Sequence, residues 1–118
     1  MRTKTHAAFV KNFRAAEMGR HAADAAGLLR AMASEHRLMV LCSLVEGEMS
    51  VGDLMGKVPL AQSALSQHLA VLRRERLVEA RRDGQTVHYA IKAGPVFDVL
   101  RALYNNFCPL PAKQARRA

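Results

Sequence analysis

The order of patterns between residues 50 and 91 limits this chain more than any other feature. Ser50-Val51-Gly52-Asp53 has the Ser-x-x-acid form of a capping box, in which side chain and backbone pair reciprocally to start a helix. That short helix should end near Lys57, before Pro59. A second helix is predicted over residues 62–75, with Leu65, Leu69 and Leu72 on one side and polar residues at its start. Two short helices joined by a tight turn form a helix-turn-helix pattern. Two short runs then follow at once, residues 77–82 and 85–91, the second alternating and rich in β-branched and aromatic residues. Asp83-Gly84 lies between them and predicts a hairpin whose turn positions need positive φ. A two-stranded hairpin is unstable alone, so it must lean on the helices.

The flanking segments supply those helices. Residues 16–32 are Ala-rich and read as a helix. Ser34 is placed to cap the next one, with Glu35 in its first turn and Gly47 as its stop. Leu38, Leu41, Cys42 and Val45 follow the i, i+3, i+4, i+7 rule, which predicts that Cys42 sits on a buried stripe. Pro95 fits the first turn of a last helix with a stripe of Val96, Val99, Leu100, Leu103, Tyr104 and Phe107. Pro109 and Pro111 should end it. The fold class is therefore mainly α with a small β-hairpin, a winged helix-turn-helix in the order α-α-α-α-β-β-α. Residues 1–15 read as a flexible basic arm, residues 16–110 as one domain, and residues 111–118 as a short basic tail.

Charge points to the partner. The chain carries 18 Lys plus Arg against 10 Asp plus Glu, a net charge of +8. Its pI of about 10.3 exceeds the value of about 9 that marks a nucleic-acid-binding candidate. Gln62, Ser63, Ser66, Gln67 and His68 occupy the polar start of the second helix-turn-helix helix, the end that enters a major groove in this motif. Gln can pair with adenine edges, and Ser can reach bases or phosphates. Arg73, Arg74 and Arg76 follow at and just past the end of that helix, and Arg81, Arg82 and Gln85 stand on the hairpin, where they are candidate backbone contacts. The alternative reading of these arginines is a solvated face.

Enzyme chemistry finds no support in the motifs. There is no Cys-x-x-Cys, no alternating βαβ pattern and no Gly-rich phosphate loop. No apolar run reaches the length of about 18 residues that spans a membrane. No apolar stretch near the N-terminus is long enough for a signal peptide, so a cytoplasmic location without membrane contact is expected. The histidines at 6, 21, 36, 68 and 88 form no recognisable ligand set, and two cysteines leave a zinc site short of ligands, so no metal or other cofactor is expected. Cys42 and Cys108 are either inert packing residues or a reversible thiol pair.

The stretch from Leu28 to Lys92 resembles the ArsR (ArsR/SmtB) family of winged-helix regulators. The resemblance is carried by Leu29-x-x-Met32-Ala33, Arg37-Leu38, Ser50-Val51-Gly52-Asp53-Leu54, the string from Gln62 through Leu69-x-x-Leu72-Arg73, and Leu77-Val78-x-x-Arg81-Arg82-x-Gly84. It implies a homodimer, built through the first and last helices, that binds a palindromic operator on double-stranded DNA and in most members represses. Ala61 departs from the pattern, since many relatives place a capping Ser there. The metal sites of the family are not matched: residues 50–54 hold no Cys, and the last helix offers Asp98 without a His. The positions of Cys42 and Cys108 are similar to those of the sulfide-responsive, persulfide-sensing branch. That similarity implies a redox pair that reactive sulfur species or oxidants cross-link, by disulfide or polysulfide, to release DNA. Two alternatives stay open: a metal- or ligand-responsive repressor with inert cysteines, and an anti-repressor of virulence genes.

Overall fold

Three leucines set the architecture. Leu65, Leu69 and Leu72, spaced 4 and 3 apart on one helix, are fully buried in a single apolar core cluster. The structure, a computed structural model, describes residues 2–108. The expected basic tail at 111–118 and the proline stop lie outside the described residues. Helices α1 (Arg2–Asn12), α2 (Ala15–Met32) and α3 (Glu35–Leu44) lead into a short strand β1 (Met49–Ser50). Then come α4 (Val51–Met55), α5 (Gln62–Arg74), strands β2 (Val78–Asp83) and β3 (Thr86–Ile91), and α6 (Pro95–Phe107).

The helix starts follow the sequence signals. Ser34 accepts a hydrogen bond from the Arg37 N–H at 3.3 Å. Ser50 accepts from the Asp53 N–H at 3.1 Å, and the Asp53 carboxylate accepts from the Ser50 N–H at 3.2 Å, completing the capping box. That pairing holds the Asp53 carboxyl below its ordinary value. Pro95 opens α6 as expected. The end of α5 is a Schellman motif with Arg in the place that glycine usually takes. The Leu77 N–H bonds the Leu72 carbonyl at 2.8 Å, the Arg76 N–H bonds the Arg73 carbonyl at 3.0 Å, and Arg76 adopts φ +65°. Leu72 and Leu77 are both buried, which supplies the apolar contact that accompanies this motif.

Four expectations change. Residues 2–12, expected as a loose arm, form helix α1; Phe9 and Phe13, four residues apart, bring their rings to 5.2 Å across its end. The sheet has three strands in the order β1-β3-β2, all antiparallel, with Ser50 opposite His88 and Arg81 opposite His88 on the other side. The hairpin turn is displaced by one residue. Asp83 pairs with Thr86, so Gly84 and Gln85 are the two loop residues, and among these only Gly84, at φ +66°, is left-handed. A single positive φ at the first loop position meets the requirement of one primed turn, and only glycine takes it without strain. The buried stripe of α3 is Val40, Leu41 and Leu44; Cys42 and Val45 are exposed. The helix is rotated so that the β-branched Val40 fills the core, which the spacing of Leu38, Leu41, Cys42 and Val45 had assigned to the neighbouring face.

Candidate DNA interface and thiol groove

Because Leu65, Leu69 and Leu72 turn inward, the opposite face of α5 is left to solvent. Gln62, Ser63, Ser66 and Gln67 are all exposed there, within the first two turns. Four small or amide side chains in a row give hydrogen-bond donors and acceptors without bulk, as a helix entering a major groove requires. Ala61 has the extended backbone of a cap (φ −66°, ψ 154°) but no side chain to use, so the first N–H groups of α5 carry no cap. Arg73 and Arg74 stand exposed at the other end of the same helix, about 10 Å from Gln67 at 1.5 Å per residue.

His68 does not share that face. Its ring is half-buried, 5.9 Å from the ring of His36 at the start of α3. Burial, then the Arg37 guanidinium and His36, holds the His68 imidazole below its ordinary value of 6.5. Arg37 is itself fixed, its Nε donating to the Ala31 carbonyl at 2.6 Å. His68 therefore joins the α3–α5 seam rather than the exposed set.

The hairpin separates its two arginines. Successive strand residues face opposite ways, so Arg81 and Arg82 cannot serve one surface together. Arg82 and Gln85 are exposed at the tip beside Gly84. Arg81 donates to both oxygens of Glu48, Nε to Oε2 at 3.0 Å and Nη2 to Oε1 at 2.7 Å. This forked pair lowers the Glu48 carboxyl and raises the Arg81 guanidinium. It ties the hairpin to the loop before β1. Sequence spacing could not find it, since the partners lie 33 residues apart.

Cys42 and Cys108 are both free and both exposed. Cys108 ends α6, its N–H bonding the Tyr104 carbonyl at 2.8 Å. The Cys42 thiol is pushed above its ordinary 9.0, first by partial burial and then by the charge of the Cys108 thiolate. Cys42 opens into a groove of about 430 Å³ between α3 and α6. Elsewhere, residues 6–24 are exposed throughout, and Phe9, Phe13, Met18, Leu29, Tyr104 and Phe107 present apolar surface. Among the described residues, no three His, Cys, Asp or Glu side chains gather to hold a metal ion, and no helix is long and apolar enough to cross a membrane.

A model of the bacterial regulatory protein, arsR family, matches residues 34–80, which span α3 to the middle of β2. The transcriptional activator HlyU of Vibrio cholerae is 47% identical over 92 residues, 78% of this chain and 85% of that protein. A structure of reduced HlyU from the same species superimposes with a TM-score of 0.73 at 46% identity, covering 79% of this chain and 98% of that one. The transcriptional repressor BigR of Xylella fastidiosa superimposes with a TM-score of 0.78 at 37% identity, covering 83% of this chain and 100% of that one.

Proposed function

The chain belongs to the ArsR family of bacterial regulatory proteins, whose members are DNA-binding transcriptional regulators that typically act as dimers, and from this premise we propose how it works. It binds a palindromic operator as a homodimer, reads it with Gln62, Ser63, Ser66 and Gln67, and represses. It lets go when reactive sulfur species or oxidants cross-link Cys42 and Cys108. The observation that carries the DNA part is the exposed polar face of α5, backed by three fully buried leucines that fix its orientation. Arg73, Arg74 and Arg82 then serve phosphates, while Arg81, held by Glu48, sets the position of the hairpin.

The thiol part is supported by two free cysteines, one on α3 and one at the end of α6, close enough for one thiolate to raise the other. A bond between them ties these two helices together and changes the spacing of the paired recognition helices. Covalent change thereby biases a two-state element. The dimer part is supported by the exposed apolar surface of α1, α2 and α6, since a small domain gains from burying such a face. The direction of control has a second reading. One relative is titled an activator and another a repressor, so displacement of a competing protein from DNA is the alternative to direct repression.

Selection of operators from random duplexes, followed by footprinting, tests the DNA part. The expected result is two protected half-sites about one helical turn, 10–10.5 base pairs, apart. Gln67→Ala should relax sequence preference, whereas Arg82→Ala should lower affinity evenly and reduce the salt slope by about 1. Uniform protection without a preferred sequence would overturn the assignment in favour of a non-specific basic protein.

A further inference from the structure

Helix α2 meets the core near its C-terminal end. Residues 15–24 are exposed throughout, and its buried residues are Ala31 and Met32, with Leu28 packed against the core beside them. Between α2 and α5 the packing is open. A notch of about 220 Å³ lies there, lined from α5 by Val71 and Glu75. Apolar contact therefore does not by itself fix the angle between the two helices. Arg37, in the first turn of α3, lines the same notch. Its Nε donates to the Ala31 carbonyl at 2.6 Å and its Nη2 to the Arg30 carbonyl at 3.4 Å. Both carbonyls belong to the last turn of α2, which has no following turn to supply N–H partners, and a cation there suits the helix dipole. The Arg37 N–H donates to Ser34 Oγ at 3.3 Å, which fixes the start of α3 as well. The guanidinium also acts on the charge of His68 on α5. One side chain thus stands where α2, α3 and α5 meet.

We propose that Arg37 is a positioning residue for DNA recognition: its bonds to the end of α2 fix the angle between α2 and α5, and so the separation of the two recognition helices in the homodimer. The assignment rests on the reading of α2 as a helix of the dimer interface. Val71 stands at the joint, and Gln62 lies nine residues before it on the same helix, about 14 Å away at 1.5 Å per residue. A turn of about 10° at the joint moves Gln62 by roughly 2.4 Å, and the twofold axis changes the separation of the two copies by up to roughly 5 Å. That exceeds the distance of about 3.4 Å between base steps. A small angular freedom is therefore enough to lose the operator register. Helix α6 is seated separately, by the buried Val96 and Leu100, so loss of Arg37 loosens one of two supports. A duplex whose half-sites are one base pair too close or too far is bound only if the joint yields. Wild-type protein breaks the Arg37 bonds to do so, and a variant without them has none to break.

The test measures the affinity of fully reduced protein for the selected operator and for duplexes in which the half-site separation is one base pair shorter or longer. Arg37→Ala should narrow the gap between the native and altered separations by about tenfold, the effect of losing hydrogen bonds from a charged group. Its salt slope should match the wild type, since Arg37 is held on carbonyls. Arg37→Lys keeps the charge without the planar fork and should fall between the two proteins. Circular dichroism reports folding. If Arg37→Ala is unfolded, Arg37→Gln, which loses the fork and the charge but keeps an amide donor, carries the same comparison. An equal loss for all three duplexes overturns the proposal, because a merely structural role acts on all of them alike. A salt slope lower by about 1 per subunit, restored in full by Arg37→Lys, also overturns it and makes Arg37 a phosphate contact. Wild-type protein indifferent to half-site separation overturns the homodimer reading itself, and the proposal falls with it. A wild-type preference that persists undiminished in the variants overturns the proposal alone.

Discussion

Ala61→Ser should stabilise the protein by about 1 kcal/mol, and the reason lies at the start of α5. The Ala61 backbone already has cap geometry, and its carbonyl already accepts the Leu65 N–H at 3.0 Å. The position is exposed, so a hydroxyl meets no steric cost. A serine there can accept from the N–H of Ser63 or Ala64, as Ser50 does for Asp53 at 3.1 Å and Ser34 for Arg37 at 3.3 Å. Replacing a good cap by alanine costs roughly 0.5–2 kcal/mol, so the reverse exchange should gain the same amount. With a urea m-value of about 1–3 kcal/mol/M, the unfolding midpoint should rise by roughly 0.3–1 M, with m unchanged. Urea titration followed by circular dichroism reads this directly. Ser50→Ala is the reciprocal experiment, and it should lower the midpoint by a similar amount, because the Asp53 N–H loses its hydroxyl acceptor while the Ser50 N–H keeps the Asp53 carboxylate. An Ala61→Ser midpoint equal to or below that of the wild type would refute the position and the uncapped state of the α5 start.

Three further outcomes follow. Arg76→Gly should raise stability by about 0.5–1 kcal/mol, because it relieves the left-handed strain at φ +65° faster than glycine loosens the unfolded chain; a drop in the urea midpoint would contradict it. His68 is held below its ordinary 6.5, so the unfolded state binds more protons. Its contribution to stability is complete above 6.5 and is lost as pH falls through 6.5 toward the folded value. His68→Gln should flatten the midpoint between about pH 7.5 and 5.5, and an unchanged slope would remove His68 as the cause. Cys108→Ser should lower the Cys42 pKa by removing the neighbouring thiolate, yet leave it above 9.0 because burial, the larger cause, remains; the pH dependence of alkylation measures this, and a rise would exclude the pairing.

Much of this fold is written in local patterns. Ser34, Ser50 and Pro95 act within one turn of themselves, so the helix starts could be read from their neighbours alone. Gly84 announced the hairpin, but pairing register, not dipeptide identity, decided that its loop partner is Gln85 rather than Asp83. Strand β1 escaped notice because two residues carry no alternation, and it exists through its pairing with β3. The face of α3 was misread because Cys42 and Val40 are both small apolar residues, and only the packing against α5 chose between them. On the interface, the polar face of α5 was legible because its leucines have a helical period. The burial of His68 against His36 and the Glu48–Arg81 pair were not, because each joins segments far apart in the chain.

The most direct measurement joins mass and DNA affinity on the same samples. Fully reduced protein is treated with a glutathione persulfide donor, then read by intact mass and by operator binding. The expected result is a bridge between Cys42 and Cys108, as a disulfide or with added sulfurs of about 32 Da each, and a collapse of DNA affinity. Cys42→Ser and Cys108→Ser should stay bound to DNA under the same treatment. A bridge that leaves operator binding intact, or DNA release by either serine variant, would contradict the account.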